Sequence, residues 1–319
     1  MMDSKSSRTA AVVSTFNPEH NVVENCAALL QQCTDVIVVD DGSTAPDEEV
    51  YRELEAQGCT VLRLNENAGI AAALNRGVSL ARSRNAALGY ILTMDQDSLL
   101  QPGFVQGLEE AATAADAAGV SVGMVAPGKV SGLPSRVIRT HNGVIIGDEP
   151  VQSGLLIRTT CIDAVGPFNE DLFIDGVDSE FYLRAKARGL LCIVAPACAL
   201  VHSLGAMTPA SIGVWRIKWR GKPLHVRTAA SWRYYFIVRN RILLAKKFAG
   251  QELYWTLRGL LLDARHLLLV SLLAAGRRER LVSAGRGLRD GLRGVSGPGP
   301  ERQPSNCCRF GSGYLVVND

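Results

Sequence analysis

Through the first half of the chain, continuous apolar runs rich in β-branched residues alternate with segments of helical spacing. The runs are 11-AVVSTF-16, 36-VIVVDD-41, 60-TVLRLN-65, 90-YILTMD-95 and 120-VSVGMVAP-127, and helical spacing fills about 19–33, 46–57, 69–84 and 102–118. This alternation predicts an α/β fold with a doubly wound, mainly parallel sheet. Runs that are apolar throughout, rather than at every second position, predict strands covered on both faces. Residues 136–147 (RVIRTHNGVIIG) predict a hairpin turning at Asn142-Gly143. From 152 the pattern predicts a short strand, a helix at about 159–165, an irregular loop, a helix from about 178 to 188, and strands 191-LCIVAP-196 and 198-CALVHS-203. From about 205 the spacing is read as helical with basic faces, in WRIKW, WRYYFIVRNRILLAKKF and YWTLRGLLLDARHLLLVSLLAAG. The expected organisation is an α/β domain over 1–205, with halves at about 8–127 and 128–205, then a helical basic region over 206–298 and a poorly ordered tail over 299–319.

Charge changes this picture more than composition does. The 319 residues are 47% hydrophobic and 20% charged, ordinary for a globular protein. The net charge of +3 conceals an asymmetry: residues 214–302 hold 19 Lys+Arg against 5 Asp+Glu, a net of +14, and the rest holds 15 against 26, a net of −11. A basic C-terminal third on an acidic body predicts an anionic partner for that third. No nucleic-acid motif accompanies it, so nucleic acid is not expected. The eight cysteines form no CxxC pair and suit small buried hydrophobes in a reducing compartment. The start MMDSKSSRTAAVVSTF shows no signal-peptide pattern. The apolar stretch 259–276 is interrupted by Asp263, Arg265 and His266, which predicts an interfacial helix rather than a transmembrane one.

Polar residues gather where the strands end: Thr15 and Asn17 after the first, Asp40 and Asp41 after the second, Asn65 and Asn67 after the third, Asp95 and Asp97 after the fourth. Ligands of open α/β sheets bind beyond the carboxyl ends of the strands, so these residues converge on one crevice. Asp95-Gln96-Asp97 presents two hard oxygen donors on one turn, suited to Mg²⁺ or Mn²⁺ shared with phosphate oxygens; a solvated turn is the bland alternative. A carboxylate of the Asp40-Asp41 pair can accept from the imide N–H of uracil or thymine, or from ribose hydroxyls; helix capping explains one of these acids and not both. Asn67 and Gly69 open a helix whose N–H groups favour a diphosphate, while its small residues, Ala71 to Ala73, suit close packing on the sheet. Asp178, at the start of a helix, is a candidate general base for an acceptor hydroxyl, with Glu180 as fallback; an acid-first, base-last helix is the alternative. His202 ends a strand and is either a structural histidine or a third metal or phosphate ligand.

These segments, taken in order, resemble a known family. VSTFNPE, VIVVDDGS, NENAGIAAALNRG, ILTMDQDS, SGLLIR, GPFNEDLFIDGVDSEFYLRA and VHSLG are similar to the inverting glycosyltransferases of family 2, which have the GT-A fold, and among them to bacterial rhamnosyltransferases that use dTDP-rhamnose. The resemblance covers roughly residues 10–245. It implies that Thr15, Phe16, Asn17, Asp40, Asp41, Asn67, Gly69, Asn75 and Asp95 bind the nucleotide sugar, that Asp95, Asp97 and His202 hold Mg²⁺ or Mn²⁺, and that Asp178 is the base of a single inverting displacement. Val177 stands where many relatives have Glu, which leaves Asp178 as the acid of that motif. The implied acceptor is a glycan or lipid-linked saccharide of bacterial polysaccharide or cell-wall synthesis, met in the cytoplasm at the inner face of the plasma membrane, whose anionic surface would draw the basic third. A galactofuranosyl or other UDP-sugar transferase shares much of this pattern. A sugar-nucleotide pyrophosphorylase fits worse, because the loop STFNPEH has neither Gly nor Lys. A non-catalytic membrane-surface scaffold is the reading from a different class, driven by the basic third alone.

Overall fold

The computed structural model describes residues 8–202, 206–212 and 215–299. It comprises two compact units, one of residues 8–170 and 177–202, the other of 171–176 and the described residues from 206 onward. The expected tail beyond residue 299 lies outside the described residues.

In the first unit, β1 (Thr9–Thr15), α1 (Asn21–Leu30), β2 (Asp35–Asp40), α2 (Glu48–Gln57), β3 (Thr60–Arg63), α3 (Ile70–Arg84) and β4 (Tyr90–Asp95) follow the predicted alternation. Then come β5 (Ser98–Leu99), α4 (Phe104–Ala117), β6 (Val122–Val130), β7 (Leu133–Pro134), β8 (Val137–His141), β9 (Val144–Gly147), β10 (Leu155–Arg158), α5 (Thr159–Val165), α6 (Val177–Ala187) and β11 (Leu191–His202). The strands form one sheet in the order β3-β2-β1-β4-β10-β6-β11-β9-β8, with β5 on β11 and β7 on β6. Pairing is parallel for β3-β2-β1-β4 and for β6-β11, while β10 runs antiparallel between β4 and β6.

Local chemistry explains the boundaries. Asp47 caps α2 by accepting from the Glu49 N–H at 3.0 Å, and Gly58 ends that helix in the left-handed region at φ 103°. Asn142 (φ 48°) and Gly143 (φ 80°) both adopt the positive φ that a tight turn between β8 and β9 demands. The core lies where the apolar runs placed it: Val36 to Val39 of β2 and Ile91, Leu92 and Met94 of β4 are fully buried, and Ala71, Ala72 and Ala73 let α3 press onto the sheet. The described cysteines are free and buried.

Two expectations need correction. The segments 191–196 and 198–203 are one strand, β11, whose pairing with β6 slips between Ala195 and Ala199; Pro196, without an N–H to donate, sits in the slip. WRIKW is extended and not helical. Residues 206–212 and 215–228 form short antiparallel pairs: β12 (Ala206–Pro209), β13 (Ser211–Ile212), β14 (Trp215–Arg216), β15 (Lys218–Trp219), β16 (Lys222–Pro223) and β17 (His225–Thr228). The alternation Trp-Arg-Ile-Lys-Trp has period two, the mark of a strand.

The rest of the second unit is helical: α7 (Arg233–Phe248), α8 (Leu253–Leu273) and α9 (Arg277–Arg293). The glycines of GRGLRDGLRG explain how closely α9 meets α7. A Cβ on Gly287 would lie 2.3 Å from the Tyr235 carbonyl oxygen, and one on Gly291 would lie 2.9 Å from that of Arg239. Tyr235 Oη donates to Asp290 across the same seam at 3.0 Å. No described helix is long and apolar enough to cross a membrane.

Gly287→Ala is expected to destabilise the protein by about 1–3 kcal/mol, the usual cost of overpacking. Gly285→Ala, where an added Cβ meets no atom within 4 Å, should be stabilising by about 0.5–1 kcal/mol through helix propensity. Urea unfolding of the pair checks both signs.

Candidate active site

The carboxyl ends of β1, β2 and β4 are level. Thr15 pairs with Asp40, and Ser14 pairs with both Val39 and Asp95. Because β2 and β4 flank β1 on opposite sides, this is the point where the strand order reverses, and a crevice opens there.

Asp40 and Asp41 are both buried at the end of β2. Asp40 accepts a hydrogen bond from Ser43 Oγ and a longer one, 3.3 Å, from the Ser43 N–H, and Arg63 Nε stands 3.9 Å away. Ser43 Oγ in turn accepts from the Asn17 N–H at 2.7 Å. Asn17, at φ 45°, accepts from the Ala45 N–H at 3.0 Å and so ties the loop after β1 to the loop after β2. Asp41 accepts from the N–H groups of Ala68 and Gly69, at 2.8 and 2.9 Å, just where α3 begins. Burial pushes the Asp41 carboxyl up to about 6; those two N–H donors pull it down, and the neighbouring Asp40 charge adds to the rise. The loops after β2 and β3 touch so closely that a Cβ on Gly42, at φ 65°, would sit 2.3 Å from the Glu66 carbonyl carbon. Beside them Asn67 Oδ1 is buried with no hydrogen-bond partner, an acceptor lacking a donor.

The Asp95-Gln96-Asp97 turn is fixed from both sides. Gln96 Oε1 accepts from the Phe16 N–H at 2.8 Å, and its backbone carbonyl accepts from Asn25 Nδ2 at 2.8 Å. The Asp95 N–H donates to Ser153 Oγ at 3.0 Å, and Ser153 Oγ lies 2.7 Å from Ser98 Oγ. Asp95 is buried and Asp97 half-buried. Ser98 is the strand partner of His202, so the backbone of His202 lies alongside the turn; its side chain lies outside the described residues. Among the described residues no cluster of three or more His, Cys, Asp or Glu forms a ready metal site. Two hard carboxylates on one turn nevertheless fit a magnesium-like ion that takes its remaining ligands from water and phosphate.

Two expected residues are engaged elsewhere. Asn75 faces the segment before α6: its Nδ2 donates to the Phe168 carbonyl at 3.0 Å and to Glu170 Oε1 at 2.8 Å, and its Oδ1 accepts from the Phe168 N–H at 2.9 Å. These bonds clamp that segment to α3. Glu180 is fully buried in a two-oxygen pair with Arg184 Nε, at 2.9 and 2.8 Å, and Arg184 also donates to the carbonyls of Val165 and Pro167. That engagement makes Glu180 an anchor of α6. Asp178 is buried in the first turn of α6 and accepts from the Ser179 N–H at 2.8 Å; Ser179 Oγ bonds Glu149.

The sequence reasoning missed Ser43, Gln96, Gln152 and Ser153. Gln152 Nε2 is a buried donor without a partner, next in sequence to the serine that holds Asp95. Only Gln96, enclosed by the two acids, carried a local signal.

Comparison with known proteins agrees with this geometry. The family model described as Glycosyl transferase family 2 matches residues 10–175. The chain is 26% identical to dTDP-rhamnosyl transferase RfbF of Shigella flexneri over 304 residues, 91% of this chain and 97% of that one. Among solved structures it is similar to residues 1–349 of S. aureus TarS (TM-score 0.56, 18% identity, 90% of this chain and 81% of that one). The same fragment in complex with UDP-GlcNAc superposes at TM-score 0.55 with 17% identity over the same shares. Against the longer TarS chain the TM-score is 0.54 at 17% identity, and this chain covers 49% of it, about half its length.

Because the folded state holds the Asp41 proton more tightly than the unfolded chain does, each rise in pH between about 4 and 6 costs it stability. Above that window the penalty is complete, about 2–3 kcal/mol at 1.36 kcal/mol per unit. Asp41→Asn should remove this slope, which urea unfolding at pH 4, 5, 6 and 7 will show against the wild type.

Proposed function

The chain belongs to glycosyl transferase family 2, and on that footing we propose that it moves rhamnose from dTDP-rhamnose to a hydroxyl of a glycan or lipid-linked saccharide, with inversion at the anomeric carbon. The observation that carries the reading is the level row of strand ends, where buried Asp40, Asp41 and Asp95 meet a helix N-terminus. The similarity to a dTDP-rhamnosyl transferase along nearly its whole length favours this donor over a UDP-sugar.

In this mechanism Thr15, Phe16, Asn17, Asp40 and Asp41 enclose the nucleoside. Asn67 Oδ1, which lacks a partner, accepts from a ribose or base donor. Gly69 and the start of α3 offer N–H groups to the diphosphate. Asp95 and Asp97, with His202 as a third candidate, would hold Mg²⁺ or Mn²⁺, which when bound supplies positive charge to the departing diphosphate. Asp178 takes the proton of the acceptor hydroxyl as its oxygen bonds to the anomeric carbon. The bond from that carbon to the diphosphate oxygen breaks in the same displacement, and the electron pair leaves with dTDP.

The second unit supports work at an anionic membrane surface. Along α8, Leu257, Leu261, Leu268 and Leu272 are each more than half exposed at three- and four-residue multiples that share one face. The surrounding net of +14 opposes self-association and favours anionic lipid. We read this face as an attachment to the inner face of the plasma membrane, where a lipid-linked acceptor would be met.

Two experiments test the proposal. With Mg²⁺ or Mn²⁺, the protein should release dTDP from dTDP-rhamnose faster than UDP from UDP-galactofuranose or UDP-GlcNAc. Asp97→Asn and Asp178→Asn should each reduce turnover by about 10²–10⁴-fold, and full activity in both would refute the mechanism. Flotation with phosphatidylglycerol vesicles should capture the wild type and lose the Leu261→Asp/Leu268→Asp variant, with capture weakening as salt rises; equal capture of both proteins would remove α8 from membrane attachment.

A further inference from the structure

The segment 171–176 belongs to the second unit although the chain on either side of it belongs to the first. Its backbone is unusual. Phe173 (φ 63°), Asp175 (φ 62°) and Gly176 (φ 86°) all lie in the left-handed region, at a cost of about 1–2 kcal/mol for each non-glycine. A mere connector would relax out of that path. This one is held in it by α7.

Asn240 Nδ2 is shared among three carbonyls, those of Leu172, Ile174 and Asp175, at 2.8, 2.7 and 2.7 Å. Arg239, fully buried, donates to the Leu172 carbonyl at 3.0 Å and the Asp171 carbonyl at 3.3 Å, and its Nε is braced by Asn240 Oδ1 at 2.8 Å. Arg233 forks onto the Asp175 carboxylate, Nε to Oδ2 at 3.0 Å and Nη2 to Oδ1 at 2.8 Å. Phe173 stacks on Phe236 with ring centres 5.1 Å apart, and Ile174 joins the same cluster. Burying two guanidinium groups and an amide is costly unless every donor finds an acceptor. Here most of those acceptors lie on residues 171–175, as backbone carbonyls and the Asp175 carboxylate.

The next residue, Val177, begins α6, and Asp178 lies in its first turn. Only Gly176 and Val177 lie between the arginine fork at Asp175 and Asp178. Farther along α6, Arg184 anchors the helix through Glu180 and the carbonyls of Val165 and Pro167. The left-handed turns at Phe173, Asp175 and Gly176 thus lead directly into the first turn of α6.

We propose that Arg233, Arg239 and Asn240 are positioning residues for Asp178, acting through the strained 171–176 segment. The inference rests on Asp178 being the base. Arg233→Lys keeps the charge and breaks the fork; Asn240→Ala releases the three carbonyls. Misplacing a reacting group by about 1 Å costs on the order of 10²-fold, so each variant should lose 10–100-fold in kcat while the dissociation constant of the nucleoside diphosphate stays within twofold.

The experiment measures nucleoside diphosphate release with water as acceptor, from dTDP-rhamnose or UDP-galactofuranose, whichever the wild type turns over. Wild type, Arg233→Lys, Asn240→Ala, Asp178→Asn and Arg233→Lys/Asp178→Asn are compared, with melting temperatures alongside. Positioning through Asp178 predicts non-additivity: Arg233→Lys changes kcat by less than twofold once Asp178 is Asn. Should Asp178→Asn cost 100-fold while Arg233→Lys lowers only the melting temperature, or should the two losses multiply, the positioning role is overturned and the base assignment stands. Should Asp178→Asn leave kcat intact, the base assignment falls first. If neither Arg233→Lys nor Asn240→Ala folds, Asp175→Asn, which weakens the same fork from the other side, takes their place. Failure of all three to fold makes the segment a folding element and overturns the inference, as does a wild type that turns over neither donor.

Discussion

Asp40 and Asp41 stand side by side at the end of one buried strand, and most of the surrounding architecture keeps two like charges there. Neither is neutralised by a close cation: Arg63 approaches only to 3.9 Å. Their charge is met by oriented dipoles instead, from Ser43 on one side and from the opening N–H groups of α3 on the other. Those donors come from the loops after β2 and β3, so holding the acids in place also fixes two walls of the crevice. The raised Asp41 carboxyl shows that the compensation is incomplete. A site that holds acids at a stability penalty is organised around something that uses them.

The sequence reveals this part of the molecule because two simple rules coincide. Runs such as VIVVDD are apolar for as long as they are covered and turn polar where they emerge, and parallel strands emerge together at their carboxyl ends. What it hides depends on partners far along the chain. Nothing near Asn75 indicates that its amide meets Phe168 and Glu170 more than ninety positions away. Nothing in SEFYLRA shows that Arg184 pairs with Glu180 and also reaches the carbonyls of Val165 and Pro167. WRIKW was legible and misread, because its aromatic spacing suggested a helix while its strict alternation specified strands. The short β10 hides for another reason: three apolar residues and an arginine do not show whether they join a sheet parallel or antiparallel.

The second unit shows how a motif can be conspicuous before its purpose is visible. WRYYFIVRNR reads as a basic, aromatic helix, suggestive of a surface. In the structure its arginines and asparagine are mostly turned inward, satisfied by carbonyls of a six-residue loop, while its aromatics pack against that loop and against α9. The charge that does reach solvent lies on the 215–222 segment, where Arg216, Lys218, Arg220 and Lys222 are exposed, and on α9, where Arg277, Arg278, Arg286 and Arg293 are. One stretch of positive sequence thus separates into an internal clamp and an external coat.

The detour of residues 171–176 also imposes an order on biosynthesis. Emerging from the ribosome, the chain completes the strands that bear the acids well before α7 exists, and the left-handed turns of that loop have nothing to hold them until Arg233 and Asn240 have been made, some sixty residues later. Closing so long a loop is entropically slow relative to local helix and hairpin formation. The nascent protein therefore passes through an interval in which its donor crevice can already form while the lead-in to α6 is still slack, and the last helices to be translated end that interval.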